Sequence, residues 1–253
     1  MRLLTSTLRG AIAPHAPVLL PEVSPGHVAA TDSIRSALGS LSFDEVDVIV
    51  LVTPHGPATG VYEDVKGSLD GFGVFGISLE CATDAVFRDE LTAAWGVPII
   101  DEPVDHGALV PILILSPRVP VVVASVGEKL TAEDAARAGN DLAAALSSMS
   151  ETRRVAFIAS ANLSSGIGPR APFPVLPGAE PLERSAVLAC ETDLAGLAEL
   201  APELGTGAGS CGAGPLTAFG RVFAGTKAEV MAHEHPFGVG YLVARTAAAG
   251  TPE

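Results

Sequence analysis

Four short runs, at residues 8–13, 47–52, 120–126 and 154–160, are rich in Val, Ile, Leu and Ala and are apolar on both faces over most of their length. Side chains alternate across a strand, so a run that is apolar at successive positions has to be covered from both sides. Between these runs lie helical patterns at 29–38, 84–95, 107–115 and 131–148. The last of them opens with Thr131, Glu133 and Asp134, a cap and a first turn matched to the positive end of the helix dipole. Strand alternating with helix predicts an α/β architecture: a central, mostly parallel sheet flanked by helices in a layered sandwich. With 253 residues, 48% of them hydrophobic, the chain can bury a substantial core, and a single domain over residues 1–253 is expected.

The remaining segments add detail to that frame. Gly67, Gly71, Gly73 and Gly76 space short extended pieces over 65–79, which predicts an inserted glycine-rich hairpin on an edge. Five prolines between 166 and 181 predict an extended loop near the mouth of a pocket, either a lid or plain surface. One long helix is expected from 181 to about 200, then a glycine-rich turn, a helix over 214–223 and closing strands at 228–232 and 239–244. The apolar runs are far shorter than a membrane span, and residues 1–4 lack a signal-like apolar core, so a cytoplasmic location is expected. A formal charge of −14 without any basic cluster argues against nucleic acid and anionic membranes as partners. Cys81, Cys190 and Cys211 are an odd set with no close pair, against a disulfide framework or a zinc knuckle.

Two of the apolar runs end in near-copies of one motif, Ala13-Pro-His-Ala-Pro17 and Thr53-Pro-His-Gly-Pro57. Proline on either side fixes the backbone, so each imidazole is aimed in advance at a small shared target, for which a metal ion is the natural choice. His15 and His55 would meet because their strands lie side by side with both carboxyl ends opening into one crevice. The plainer alternative is a pair of turn histidines following buried strands.

With Val104-Asp-His-Gly107, Ala159-Ser-Ala-Asn-Leu-Ser164 and Ser210-Cys-Gly-Ala-Gly-Pro215 laid beside these two motifs, nearly the whole chain resembles the class III extradiol ring-cleaving dioxygenases, the LigB superfamily, and the related Memo-like proteins. The resemblance implies a mononuclear metal centre at one end of the sheet. In the enzymes this is ferrous iron held by two histidines and a carboxylate, with open positions for a catechol and dioxygen. Carried over, His15 and His55 are the imidazole ligands, and His106 is the catalytic pocket histidine that orients substrate or dioxygen. The other reading of His106 is a helix cap or buried partner of Asp105.

Two positions depart from the enzymes. Ser165 stands where ring-cleaving relatives carry a base histidine, and Asn162 replaces the acidic or glycine residue before it; both are assigned to the substrate pocket. Cys211 aligns with the carboxylate ligand, as in Memo-like proteins, and a thiolate there admits zinc or copper beside iron. The alternative for Cys211 is a small buried residue at a glycine-rich turn. The implied function is thus a metal-dependent oxidoreductase taking dioxygen and a small aromatic, catechol-like substrate, or else a catalytically degenerate Memo-like protein that binds a metal or ligand. A hydrolase using Ser160 or Ser165 has no nucleophile motif behind it.

Three further candidates are weaker. In His233-Glu234-His235 alternation puts both histidines on one strand face, so one could reach a metal, against a solvated turn. Glu22 is a candidate hydrogen-bond partner for a ligand imidazole, and His27 reads as surface or cap. A homo-oligomer is left open.

Overall fold

The computed structural model describes residues 8–149 and 153–246. The start at 1–4, expected to lack a signal-like core, lies outside the described residues. The strands are β1 (Leu8–Ala13), β2 (Val48–Thr53), β3 (Thr59–Tyr62), β4 (Val65–Ser68), β5 (Ser78–Cys81), β6 (Ile99–Ile100), β7 (Val121–Val126), β8 (Val155–Ser160), β9 (Ala228–Glu234) and β10 (Tyr241–Thr246). The helices are α1 (Asp32–Gly39), α2 (Ala85–Trp95), α3 (His106–Leu115), α4 (Ala132–Ser148), α5 (Ala179–Thr192), α6 (Leu194–Gly207) and α7 (Ala213–Val222).

Eight strands form one sheet in the order β6-β3-β7-β2-β8-β1-β10-β9. The four apolar runs are its centre, β7-β2-β8-β1, and every pairing among them is parallel. All six residues of β2 and of β7 are buried. Val48, Val50 and Val52 enter one core cluster, and Ile49 and Leu51 enter the other, so the period-two pattern divides β2 between two layers. Burying each such side chain contributes about 1.5–3 kcal/mol. Antiparallel β3 flanks one end of this centre and the β10-β9 pair the other.

The predicted hairpin is present as β4 and β5, but it is a separate two-stranded sheet rather than an edge of the main one. The long helix expected from 181 to 200 is two helices. Asp193 at φ −157° cannot continue α5, and its side chain accepts from the Ala195 amide to begin α6. Helix α6 then runs on through Gly205 and Gly207, so the glycine-rich turn is shorter than expected and centres on Gly209 at φ 67°. Strands β3 and β6, of four and two residues, are too short to show a period in sequence.

The strand-adjacency expectation fails in an informative way: β1 and β2 are not neighbours, because β8 lies between them. All three are parallel, so their carboxyl ends still open on one side, and the residues after β1 and β2 converge over the end of β8. On the far side, α4 and α7 cross so closely that a Cβ on Gly139 would lie 2.3 Å from the Gly214 carbonyl oxygen. That crossing seats the start of α7, and with it the preceding Cys211, against the strand ends. No helix among the described residues is long and apolar enough to cross a membrane.

Candidate metal centre

His15, in the turn after β1, is 1% exposed. Its Nδ1 lies 2.7 Å from Ser160 Oγ at the end of β8. The Ser160 hydroxyl spends its one proton on the Gly107 carbonyl, so it accepts from His15 Nδ1–H. This fixes the tautomer and leaves the Nε2 lone pair free. That lone pair faces His55 Nε2 at 3.1 Å and Cys211 Sγ at 3.4 Å. The three donor atoms lie within 4.8 Å of one another.

A hydrogen bond cannot satisfy both facing Nε2 atoms if both lack protons, whereas one cation satisfies both and the sulfur as well. Burial lowers the pKa of His15, with His55 and His106 adding to the shift, and burial lowers that of His55. Both imidazoles are thereby held neutral, the form that ligates. Buried His55 Nδ1 has no hydrogen-bond partner, and the Glu128 carboxylate stands 3.9 Å away. With Nε2 on a metal, Nδ1 carries the proton and a small swing of exposed Glu128 would orient it. Burial pushes the Cys211 thiol up to about 11, so it ionises at neutral pH only beside a cation. The residues present therefore fit a metal: two neutral imidazoles, a thiol, and an unpartnered nitrogen on the far side of one ring.

His106 joins this group. Its ring stacks on His55 at 4.4 Å and meets His15 edge-on at 5.5 Å. Asp105 is the N-cap of α3, accepting from the Gly107 amide, and also accepts from the Thr53 hydroxyl at 2.7 Å and the Tyr62 hydroxyl at 3.1 Å. One carboxylate thus ties the end of β2 to the start of α3, which sets the two rings face to face. Burial and the Asp105 charge push the Tyr62 hydroxyl up, so it stays a donor. Burial, with His55 next to it, lowers His106 to about 4. Phe72, 53% exposed, packs its ring 4.8 Å from His106 on the outer side.

Asn162 and Ser165 occupy supporting positions. Asn162 Oδ1 accepts from the His15 amide at 3.4 Å, and its carbonyl accepts from Ser210 beside Cys211. Ser165 donates to the Gly209 carbonyl, bracing the turn that leads to Cys211. Glu22 is exposed and does not orient His15, whose Nδ1 belongs to Ser160. His27 is exposed and packs on Phe237, as expected of a surface residue. His233 and His235 lie outside this centre and face Glu183. All three cysteines are free. Sequence reasoning missed Thr53, Tyr62 and Phe72, and missed the part that Ser160 plays in holding His15. Ser160 and Thr53 carried a signal, since each is the last, polar residue of an apolar strand that opens on the site.

Replacing Ser160 with alanine leaves the Gly107 carbonyl and His15 Nδ1 unpartnered, a cost of about 1–3 kcal/mol. Metal affinity in competition with a chelator is expected to fall roughly 10–100-fold. Unchanged affinity would show that Ser160 does not set the tautomer.

A solved structure, the uncharacterized protein JW3007 from Escherichia coli K12, has a similar fold, with a TM-score of 0.59 at 15% identity over 94% of this chain and 99% of that one. No curated protein matches the chain. The family model for the catalytic LigB subunit of aromatic ring-opening dioxygenase matches residues 9–243, a span that takes in nearly all of β1, the end of β8, α3, the turn before α7 and the first half of β10. The chain belongs to the LigB family of ring-opening dioxygenase catalytic subunits.

Proposed function

We propose that the protein is a metal-dependent oxidoreductase of the extradiol type, acting on a catechol-like or other small aromatic substrate with dioxygen. The observation that carries this reading is the convergence of His15 Nε2, His55 Nε2 and Cys211 Sγ within 4.8 Å, with His106 stacked beside them. Ferrous iron is the cofactor we assign, with zinc or copper as alternatives the thiol admits. Iron held there would supply Lewis acidity toward the substrate hydroxyls and the electron chemistry that dioxygen requires.

The chain's own groups do the rest. His106, neutral at working pH, offers an acceptor nitrogen to a substrate hydroxyl and fixes its orientation. At a pKa of about 4 it orients better than it abstracts, because a base that weak holds a proton poorly near neutrality. Phe72 gives an aromatic ring an apolar surface beside His106. Ser165 carries no base at all. That observation favours a second reading, a catalytically degenerate Memo-like protein whose crevice holds a metal or ligand without turnover.

Anaerobic reconstitution with iron(II), followed by a panel of catechols and dioxygen, tests the enzyme reading through the absorbance of yellow ring-opened products. Turnover is expected; stoichiometric iron without turnover would decide for the binder. Ser165→His is expected to create or raise activity by returning a base with a pKa nearer working pH. A folded, iron-loaded Ser165→His protein that remains inert would show that more than the base is missing.

A further inference from the structure

Glu183, on the apolar stripe of α5 with Ala179, Ala186 and Cys190, is 1% exposed. A carboxylate this deep is costly unless its charge is met. Ser164 donates to its Oε1, and its ion-pair partners among the described residues are histidines, with no lysine or arginine. His233 Nε2 stands 2.9 Å from Oε2, and His235 Nδ1 stands 4.0 Å from the same oxygen. His233 lies in β9 and His235 directly follows its last residue, Glu234, so the two imidazoles approach the same carboxylate oxygen from the end of that strand. The 4.0 Å separation is too long for a hydrogen bond. It does suit two donors to one ion, since atoms about 2.0–2.2 Å from a shared tetrahedral cation lie roughly 3.4 Å apart. A Cβ on Gly240 would meet Glu183 Oε1 at 1.5 Å, so the carboxylate rests directly on backbone that only glycine leaves open.

We infer that Glu183, His233 and His235 form a second cation site, for a divalent transition metal of the zinc type. It shares no residue with the His15 centre. Two imidazoles and a carboxylate are a nitrogen and oxygen set suited to zinc, cobalt(II), nickel(II) or iron(II), and the partly exposed His235 opens the remaining coordination to water. Bound metal neutralises the buried carboxylate and clamps α5 to β9.

Cobalt(II) titration of chelator-stripped full-length protein tests this, because the two centres differ in colour chemistry. Only the centre containing Cys211 can give a thiolate-to-metal charge-transfer band. Wild type is expected to take up two equivalents. His55→Ala should keep one, showing ligand-field bands without thiolate charge transfer. His235→Ala, which leaves the buried Glu183–His233 pair intact, should keep one with that band. A wild type that binds a single equivalent carrying the thiolate band, or a His235→Ala protein that still binds two, overturns the site. As a readout independent of colour, zinc should raise the unfolding temperature of His55→Ala and leave that of the His55→Ala, His235→Ala double variant unmoved; an equal rise in both would also overturn it.

Discussion

His15→Ala is expected to abolish metal uptake at the strand-end centre and all ring-cleaving turnover with it. His15 is the hub of the site: its Nε2 faces both other donors, and its Nδ1 is locked by Ser160. Removing a supporting hydrogen bond from such a site costs roughly 10–100-fold in affinity, and loss of one of only three protein donors must exceed that. The readout is metal content after dialysis against a chelator, together with loss of the thiolate charge-transfer band in the cobalt form. Retention of that band at wild-type strength would mean that Cys211 binds metal without His15, and the centre as described would be wrong. Cooperative thermal unfolding of the variant separates lost ligation from lost fold.

Gly139→Val should be the most destabilising single change at the α4–α7 crossing, costing about 3 kcal/mol or more. At an ordinary helix position the loss of glycine would be favourable or mild, since glycine is ~1 kcal/mol worse than alanine there. Here the added Cβ would sit 2.3 Å from the Gly214 carbonyl oxygen, and backbone cannot rotate away as a side-chain tip can. The steric term wins, and the two helices must part. For a chain of this length each kcal/mol lowers the unfolding midpoint by about 2–4 °C. Because α7 starts two residues after Cys211, the same change should weaken the thiolate band as well. A Gly139→Val protein as stable as wild type would show that the helices repack without cost.

The central sheet was legible because its four strands are apolar on both faces, a pattern that few arrangements other than a covered parallel sheet can satisfy. The candidate donor trio that the fold brings together was legible through the Pro-His-x-Pro repeats and the turn before α7, by resemblance to a family rather than by spacing alone. The strand order was not: nothing local in residues 8–13 or 47–52 records that β8, more than a hundred positions later, slips between them. Asp193 hid its helix break because Asp is an ordinary residue on a helix surface, and only its cap bond to Ala195 reveals the boundary. Glu183 drew no notice in the sequence beside Glu180 and Glu191; its place in phase with Ala179 and Ala186 is the signal that sets it apart. Ser160 was read as a conceivable nucleophile, yet its hydroxyl is fully engaged as donor and acceptor.

The insertion of β8 between β1 and β2 also bears on how the protein is made. His15 and Cys211 stand 196 positions apart, and the hydroxyl that aims His15 comes from the strand that arrives last of the three. A nascent or truncated chain that has not yet threaded β8 holds scattered histidines with no common target. A cation held by these three donors would therefore be captured only after β8 and the turn before α7 are in place. By mass action, an ion present at about 100 times its dissociation constant would then add ~2.7 kcal/mol against unfolding of the finished molecule alone.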